Sequence, residues 1–329
     1  MTCKITVTEN HNGRRLDRII RSIWPALPLS FIMRAIRKGE VRLDFVRVRE
    51  AGARVRSGQE LYVPWDFSEA EAEIRDRGGV PRWGNVPILW RGDNVVIVDK
   101  PADLLVQPDV KGGDSVVTRI WGMFGGREAG FSPAAVHRLD RNTTGALAVA
   151  LSGEALRELE RLFKERLVVK NYLAVVVGKL PEKGVIDAPL LKDETRNIVS
   201  VNTDSGKTAR TRYKKLRIKD GRFQGSELHL RELSLVSIEL VTGRTHQARV
   251  HMAHIGHPIL GDRKYGNFEA NRRRRDVKRP LLHAFELKFP DGLYGALSEI
   301  SGKTFRAQLP KDMAVVLGGE NFGAKDLTL

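Results

Sequence analysis

Two stretches of this 329-residue chain carry side chains that could do chemistry. The first is Val136-His137-Arg138-Leu139-Asp140-Arg141-Asn142-Thr143-Thr144-Gly145. A carboxylate sits among arginines there, and hydroxyls and a glycine lead on into an apolar run. Neighbouring positive charge favours the ionised carboxyl, and an ionised carboxylate serves either as a nucleophile or as a salt-bridge partner. By spacing alone the salt-bridged turn residue is the commoner outcome. The second stretch is Leu240-Val241-Thr242-Gly243-Arg244-Thr245-His246-Gln247-Ala248-Arg249-Val250-His251. A strand is predicted to end at Thr242-Gly243 and a donor-rich helix to begin near Thr245. Arg244 lies at the junction, where loop residues are aimed into clefts, beside a helix start that favours anions.

Other motifs fail on their own chemistry. His137-Arg138-Leu139-Asp140 lacks the Gly-rich loop and Asp-Phe-Gly that a kinase requires. Gly206-Lys207-Thr208 and Gly302-Lys303-Thr304 imitate a phosphate loop, but its first glycine would fall on Val201 and Leu297. His251, His254 and His257 drift around a helix and have no accompanying His-Glu-x-x-His, so no metal is expected. The run Arg272 to Arg275 is most simply a solvated face, with phosphate contact as the alternative.

The elements that must position these stretches are predicted to be strands more than helices. Val95-Val96-Ile97-Val98 is a short apolar run between Asp93-Asn94 and Lys100-Pro101. Further strands are expected at 146–151, 172–177, 210–217, 234–241 and 281–289. Leu156, Leu159, Leu162 and Phe163 share one face of a helix from Ser152, its cap, to Arg166. Regular strand–helix alternation is absent, which predicts an α+β fold with a mixed or antiparallel sheet.

Ahead of this region, residues 12–58 hold twelve lysines and arginines against four acids, half of the net charge of +16. Leu16, Ile19, Ile20 and Ile23 recur at helical spacing. Pro25 and Pro28 break that pattern, Ser30 is expected to cap a second helix bearing Ile32, Ala35 and Ile36, and Gly39 to end it. Strands are expected at 41–43 and 46–48 around a turn at Asp44-Phe45, and at 61–63. Polar residues over 65–85, with Gly78-Gly79, Pro81 and Gly84, read as a connection. The expected division is a domain at 12–75, a linker at 76–86, a second domain at 87–318 and a tail at 319–329.

Composition narrows the function. So basic a chain usually faces a polyanion. The single cysteine, Cys3, excludes a disulfide framework and a CxxC zinc site. No run of 18 apolar residues exists, and Met1 to Asn10 lack the apolar stretch of a signal peptide, so a cytoplasmic protein is expected.

Residues 14–64 resemble the S4 RNA-binding domain. The remainder resembles the RluA-type pseudouridine synthases, especially the large-subunit ribosomal RNA enzymes of the RluC and RluD kind. The matching segments are DNVVIVDKPADLLVQP (93–108), HRLDRNTTG (137–145), VVKNYLAVVVG (168–178), VTGRTHQARVHMAHIGHPILGDRKYG (241–266) and LLHAF (281–285). Asp103 stands where the family usually has Gly, Gln107 where it often has His, and Thr144 where Ser is more usual.

The resemblance implies an α+β chain: an S4-type domain, then a catalytic domain with a mixed, mostly antiparallel sheet. It implies Asp140 as the nucleophile, Tyr172 as the tyrosine that stacks on the base and helps remove the C5 proton, and Arg244 as the arginine paired with Asp140. Arg138 is implied to enter the RNA stack as the uridine leaves it. Further RNA contacts are expected from His137, Thr144, Lys170, His246 and Gln247, and from Arg14, Arg15, Arg34, Arg37, Lys38 and Arg42 in the basic block. The implied partner is RNA, 23S ribosomal RNA or its assembly intermediates, with a monomeric chain and no membrane, metal or small-molecule cofactor. The alternatives are a non-catalytic RNA-binding or ribosome-assembly factor and a synthase acting on tRNA.

Overall fold

The computed structural model describes residues 3–24, 27–65, 84–109, 113–124, 131–218, 233–317 and 327–328. The N-terminal unit is built on two helices. Leu16, Ile19, Ile20 and Ile23 bury one face of α1 (Leu16–Ile23). Helix α2 (Leu29–Lys38) buries Ile32, Ala35 and Ile36 and stops at Gly39, whose φ of 71° suits glycine. Its N-cap is Pro28, with φ −59°, and the expected cap Ser30 lies exposed one residue inside the helix.

These helices pack on a four-stranded sheet in the order β1-β4-β2-β3, with β1 (Cys3–Thr6), β2 (Arg42–Leu43), β3 (Val46–Arg47) and β4 (Glu60–Val63). Strand β1 was not foreseen from sequence, and it puts the start of the unit ahead of residue 12. Ile5, Leu16, Ile20, Ile36, Leu61 and Trp65 share one core. The expected boundary at 75 and 76 lies outside the described residues.

The second unit holds β5 (Ile88–Arg91), β6 (Val95–Lys100), β7 (Ala134–Ala135), β8 (Thr144–Ala150), β9 (Val169–Val177), β10 (Lys183–Asp187), β11 (Leu190–Asp193), β12 (Ile198–Val201), β13 (Arg210–Lys215), β14 (Arg217–Ile218), β15 (Leu233–Leu240), β16 (Leu282–Lys288) and β17 (Thr304–Arg306). The main sheet runs β10-β13-β15-β9-β16-β8-β6-β5. Strands β16 and β8 are parallel and the other neighbours antiparallel, so the sheet is mixed and mostly antiparallel. Within the expected tail, β18 (Leu327–Thr328) pairs with β14.

Helices cover both faces: α3 (Val116–Phe124), α4 (Gly153–Lys164), α5 (Gln247–His254), α6 (Phe268–Arg273) and α7 (Lys311–Leu317). The Ser152 hydroxyl caps α4 by accepting from the Ala155 amide at 3.3 Å. Burial on both faces explains why the central strands read as unbroken apolar runs. Val96, Val98, Leu147, Val149, Tyr172 and Ala174 join one core, and Val95, Ile97, Ala146 and Ala148 join another.

Register brings distant segments together. Gly145, Ala284, Tyr172 and Ile238 form one row across β8, β16, β9 and β15. Glycine is required at 145: its φ is 114°, and a Cβ there would lie 2.2 Å from the Ala284 carbonyl oxygen. The glycine that ends the first chemical stretch therefore lets β8 close against β16, which sets the loop carrying Asp140 over the middle of the sheet.

Candidate active site

Asp140 lies in the loop that enters β8, and its backbone carbonyl accepts the Thr143 amide at 3.0 Å. Two buried cations pin the carbonyls that follow it. Lys100 Nζ donates to Arg141 O at 2.9 Å, to Leu104 O at 2.7 Å and to Pro101 O at 2.8 Å. Arg279 Nη1 donates to Asn142 O at 3.2 Å, while its Nε and Nη2 fork onto Asp312 at 2.7 and 2.8 Å. Burial, and then the Arg279 charge, push the Lys100 ammonium down to about 7. Three carbonyl acceptors matched to three N–H donors favour its charged form locally.

Lys100→Met should strip one partner from each of those carbonyls. The expected loss is about 2–3 kcal/mol in urea unfolding, with lower turnover as the Asp140 loop loosens. Unchanged stability would show that the loop does not depend on Lys100.

The carboxylate of Asp140 is 21% exposed and is held by Arg249, whose Nη1 donates to Oδ2 at 3.1 Å. Arg249 is in turn fixed by Asp262, a fully buried carboxylate that takes Nε at 2.7 Å and Nη2 at 2.8 Å. Burial alone would lower the guanidinium, but its bonds to Asp262 and Asp140 hold it above its ordinary range. Burial likewise opposes the Asp262 carboxylate, and Arg249 together with the Lys264 and Tyr265 amides hold that carboxyl below its ordinary range. The result is a buried Asp262–Arg249–Asp140 relay with its open end at Asp140.

The pairing expected for Arg244 therefore belongs to Arg249. Arg244 is exposed, and its Nε donates to the Thr208 carbonyl at 3.1 Å. It lines a cleft of about 600 Å³ with His137, Arg138, Asp140, Lys170 and Tyr172. The two arginines differ because Arg244 precedes α5 whereas Arg249 sits within it, on the side turned toward the Asp140 loop.

Tyr172 is buried at the cleft floor. Burial, and then the Asp140 carboxylate, raise its phenol well above the ordinary value. A phenol so held stays protonated at neutral pH, which suits a stacking face and makes it a poor resting-state base. Arg138 is exposed at the cleft rim. Lys170 is buried in the cleft wall, 5.7 Å above the Phe163 ring, and no carboxylate pairs with it among the described residues. Burial lowers its ammonium.

Three expected RNA contacts are placed differently. Thr144 is buried, and its hydroxyl lies 2.9 Å from His283 Nδ1. Gln247 is buried, and its amide is used internally. Its Oε1 accepts from Thr242 Oγ1 and the Arg244 amide, and its Nε2 donates to Arg210 O and Thr211 Oγ1. Both polar groups are consumed by the protein and have none left for RNA. His137 stacks on Phe163 with ring centroids 4.5 Å apart, and its Nε2 accepts the Ala148 amide at 3.1 Å. It also lines the cleft.

His246 remains at the site. It adopts φ 54° at the start of α5, with Nδ1 2.8 Å from the Tyr265 hydroxyl and Nε2 3.9 Å from Asp140 Oδ2. Of the three helix-spaced histidines, His251 has both ring nitrogens occupied, by Thr211 Oγ1 and Ala188 O, and His257 lies 3.1 Å from Val177 O. No metal-binding group of three or more side chains occurs among the described residues, and none of their helices is long and apolar enough to cross a membrane.

In the basic block, Arg34, Arg37, Lys38 and Arg42 are exposed. Arg14 is half-buried, and Arg15 pairs with Asp17 at 2.8 Å. Asp103 has φ 60°, so the position where a glycine is usual needs the left-handed conformation. Its carboxylate accepts from Arg141 Nε at 2.7 Å.

The family model described as RNA pseudouridylate synthase matches residues 94–254. Ribosomal large subunit pseudouridine synthase C of Vibrio parahaemolyticus is 33% identical over 87% of this chain and 87% of its own length. Ribosomal large subunit pseudouridine synthase D of Nitrosomonas europaea is 32% identical over 96% and 87%. Among solved structures, human RNA pseudouridylate synthase domain containing 1 is 30% identical, with a TM-score of 0.51 over 63% of this chain and 79% of that one. The chain is thus alignable along most of its length with these enzymes, and it belongs to the RluA-type family of RNA pseudouridine synthases.

Proposed function

We propose that this protein isomerises uridines of large-subunit (23S) ribosomal RNA, or of its assembly intermediates, to pseudouridine. The observation that supports this most is the Asp140 carboxylate, anchored by Arg249 and opening into the cleft with Tyr172 and Arg138. A stacked base shields its glycosidic bond, so the uridine must leave the helix. Arg138 at the rim would fill the gap, and Tyr172 would supply the face on which the uracil rests.

Asp140 would then attack either ribose C1′, releasing uracil, or base C6, forming an adduct. In both routes the N1–C1′ bond breaks, the uracil turns, C5 bonds to C1′, the bond to Asp140 breaks to return the free carboxylate, and the proton lost from C5 is matched by one taken up at N1. Atoms and electrons balance within the substrate, so no cofactor is consumed. In this reading the N-terminal unit that begins with β1 acts as an S4-type docking domain, using Arg34, Arg37, Lys38 and Arg42 on RNA phosphates.

The test is carbodiimide primer extension on 23S transcripts and on a tRNA pool, each incubated with purified protein. Pseudouridine stops at discrete 23S positions are expected. Stops confined to tRNA would reassign the substrate, and none on either RNA would leave only a binding role.

A further inference from the structure

The outer face of the N-terminal sheet carries a feature that docking by charge does not explain. The hairpin between β2 and β3 turns on Asp44 and Phe45, with φ of 47° and 68°. Positive φ at both central residues is the condition of a type I′ turn, which favours Asn-Gly or Asp-Gly. A phenylalanine there is strained by its Cβ. It gains little from burial in return, because its side chain is 67% exposed. The turn is fixed rather than loose: the Asp44 carboxylate accepts the Glu60 amide and Gln59 Nε2, both at 2.8 Å. An exposed aromatic held at a strained position points to a contact made outside the molecule.

The surroundings specify the contact. The Phe45 ring lies 4.6 Å from that of Tyr62, tilted by 35°. Register places Lys4, Tyr62, Arg42 and Arg47 in one row across the four strands. The opposite row, Ile5, Leu61 and Leu43, enters the core. The outer face is therefore an aromatic pair amid three cations. Its acids are engaged within the protein: Glu60 by Lys4 and the Tyr62 hydroxyl, and Asp44 by Gln59 Nε2 and the Glu60 amide.

We propose that this sheet face is a stacking site for an unpaired RNA base, with Phe45 as the platform and Arg42 and Arg47 on the adjoining phosphates. Aromatic rings recognise splayed bases in this way, and cations beside them track the backbone. The proposal rests on the reading that the N-terminal unit docks RNA and adds what it selects: single-stranded or looped RNA over duplex.

The test uses the full-length protein and fluorescence anisotropy with labelled oligocytidylate, which has no uridine to react, and with a paired RNA duplex of equal length. Phe45→Gly should weaken oligocytidylate binding by about tenfold and duplex binding by less than about twofold. The salt slope should stay unchanged, since no cation is removed. Phe45→Trp should bind like wild type. The urea midpoint of Phe45→Gly should be equal or higher, because glycine relieves the turn.

Equal binding of oligocytidylate by Phe45→Gly and wild type would overturn the proposal, and so would a lowered midpoint with equal losses on both RNAs. A double variant, Arg34→Gln with Arg37→Gln, separates the two readings. If it flattens the salt slope while Phe45→Gly does nothing, docking stands and the platform falls. If neither variant changes binding, both fall.

Discussion

Asp140→Asn is expected to abolish isomerisation while leaving RNA affinity near wild type. The amide is nearly the same size and keeps an oxygen for Arg249 Nη1, so the loop pinned by Lys100 and Arg279 should hold its shape. What is lost is the nucleophile, because a neutral amide oxygen does not form the covalent bond on which the rearrangement depends. Loss of a covalent nucleophile typically costs at least roughly a thousandfold in turnover. Single-turnover conversion of a 23S fragment, beside a filter-binding isotherm on the same RNA, reads both quantities. Turnover within about tenfold of wild type would remove Asp140 from the role of nucleophile. Equal loss of binding and turnover would mean that Asp140 serves the shape of the cleft and not its chemistry.

The sequence made the site legible where chemistry and backbone shape fall together in a short segment. Asp140, in the loop before β8, and Gly145, inside β8, lie close together in the chain, and both the carboxylate and the close approach of β8 to β16 need those residue types. The central strands were legible because burial on both faces leaves unbroken apolar runs. Strand β1 was missed because Cys3–Thr6 has only one buried position and pairs solely at the edge with β4. The partner of Asp140 was missed for a different reason. Arg244 and Arg249 lie in the same segment, and only packing of α5 decides which of them turns inward. Asp262, which holds Arg249, is 13 residues further along, and Asp140 is 109 residues back. The available signal was an arginine on the turn that also carries Ala248 and Met252, both core residues. Gln247 and Thr144 misled because a polar residue in a functional segment is read as facing substrate, whereas here each satisfies a buried backbone or histidine partner.

Arg249→Ala and Arg244→Ala should therefore differ in kind. Removing Arg249 leaves Asp262, whose side chain is fully buried, without its cation. Breaking a buried pair in this way costs about 3–5 kcal/mol. The pH dependence should also reverse. In the wild type the Asp262 carboxyl is held below its ordinary value, so its contribution is present above the unfolded value of 3.8 and is lost as pH falls through the folded value. Without Arg249 burial dominates and raises that carboxyl, so the variant should lose stability as pH rises past the unfolded value and recover it in acid. Arg249→Lys restores charge without the fork, and should regain part of the stability but little turnover. Arg244→Ala changes an exposed side chain bound to one carbonyl, so stability should move by less than about 0.5 kcal/mol. Its effect should be on KM, with kcat within about tenfold of wild type. Urea titrations at acid and neutral pH, with kcat and KM for each variant, distinguish the two residues. If Arg244→Ala lowers kcat as far as Arg249→Ala does, the exposed arginine swings onto Asp140 during the reaction and the resting ion pair is not the one that governs catalysis.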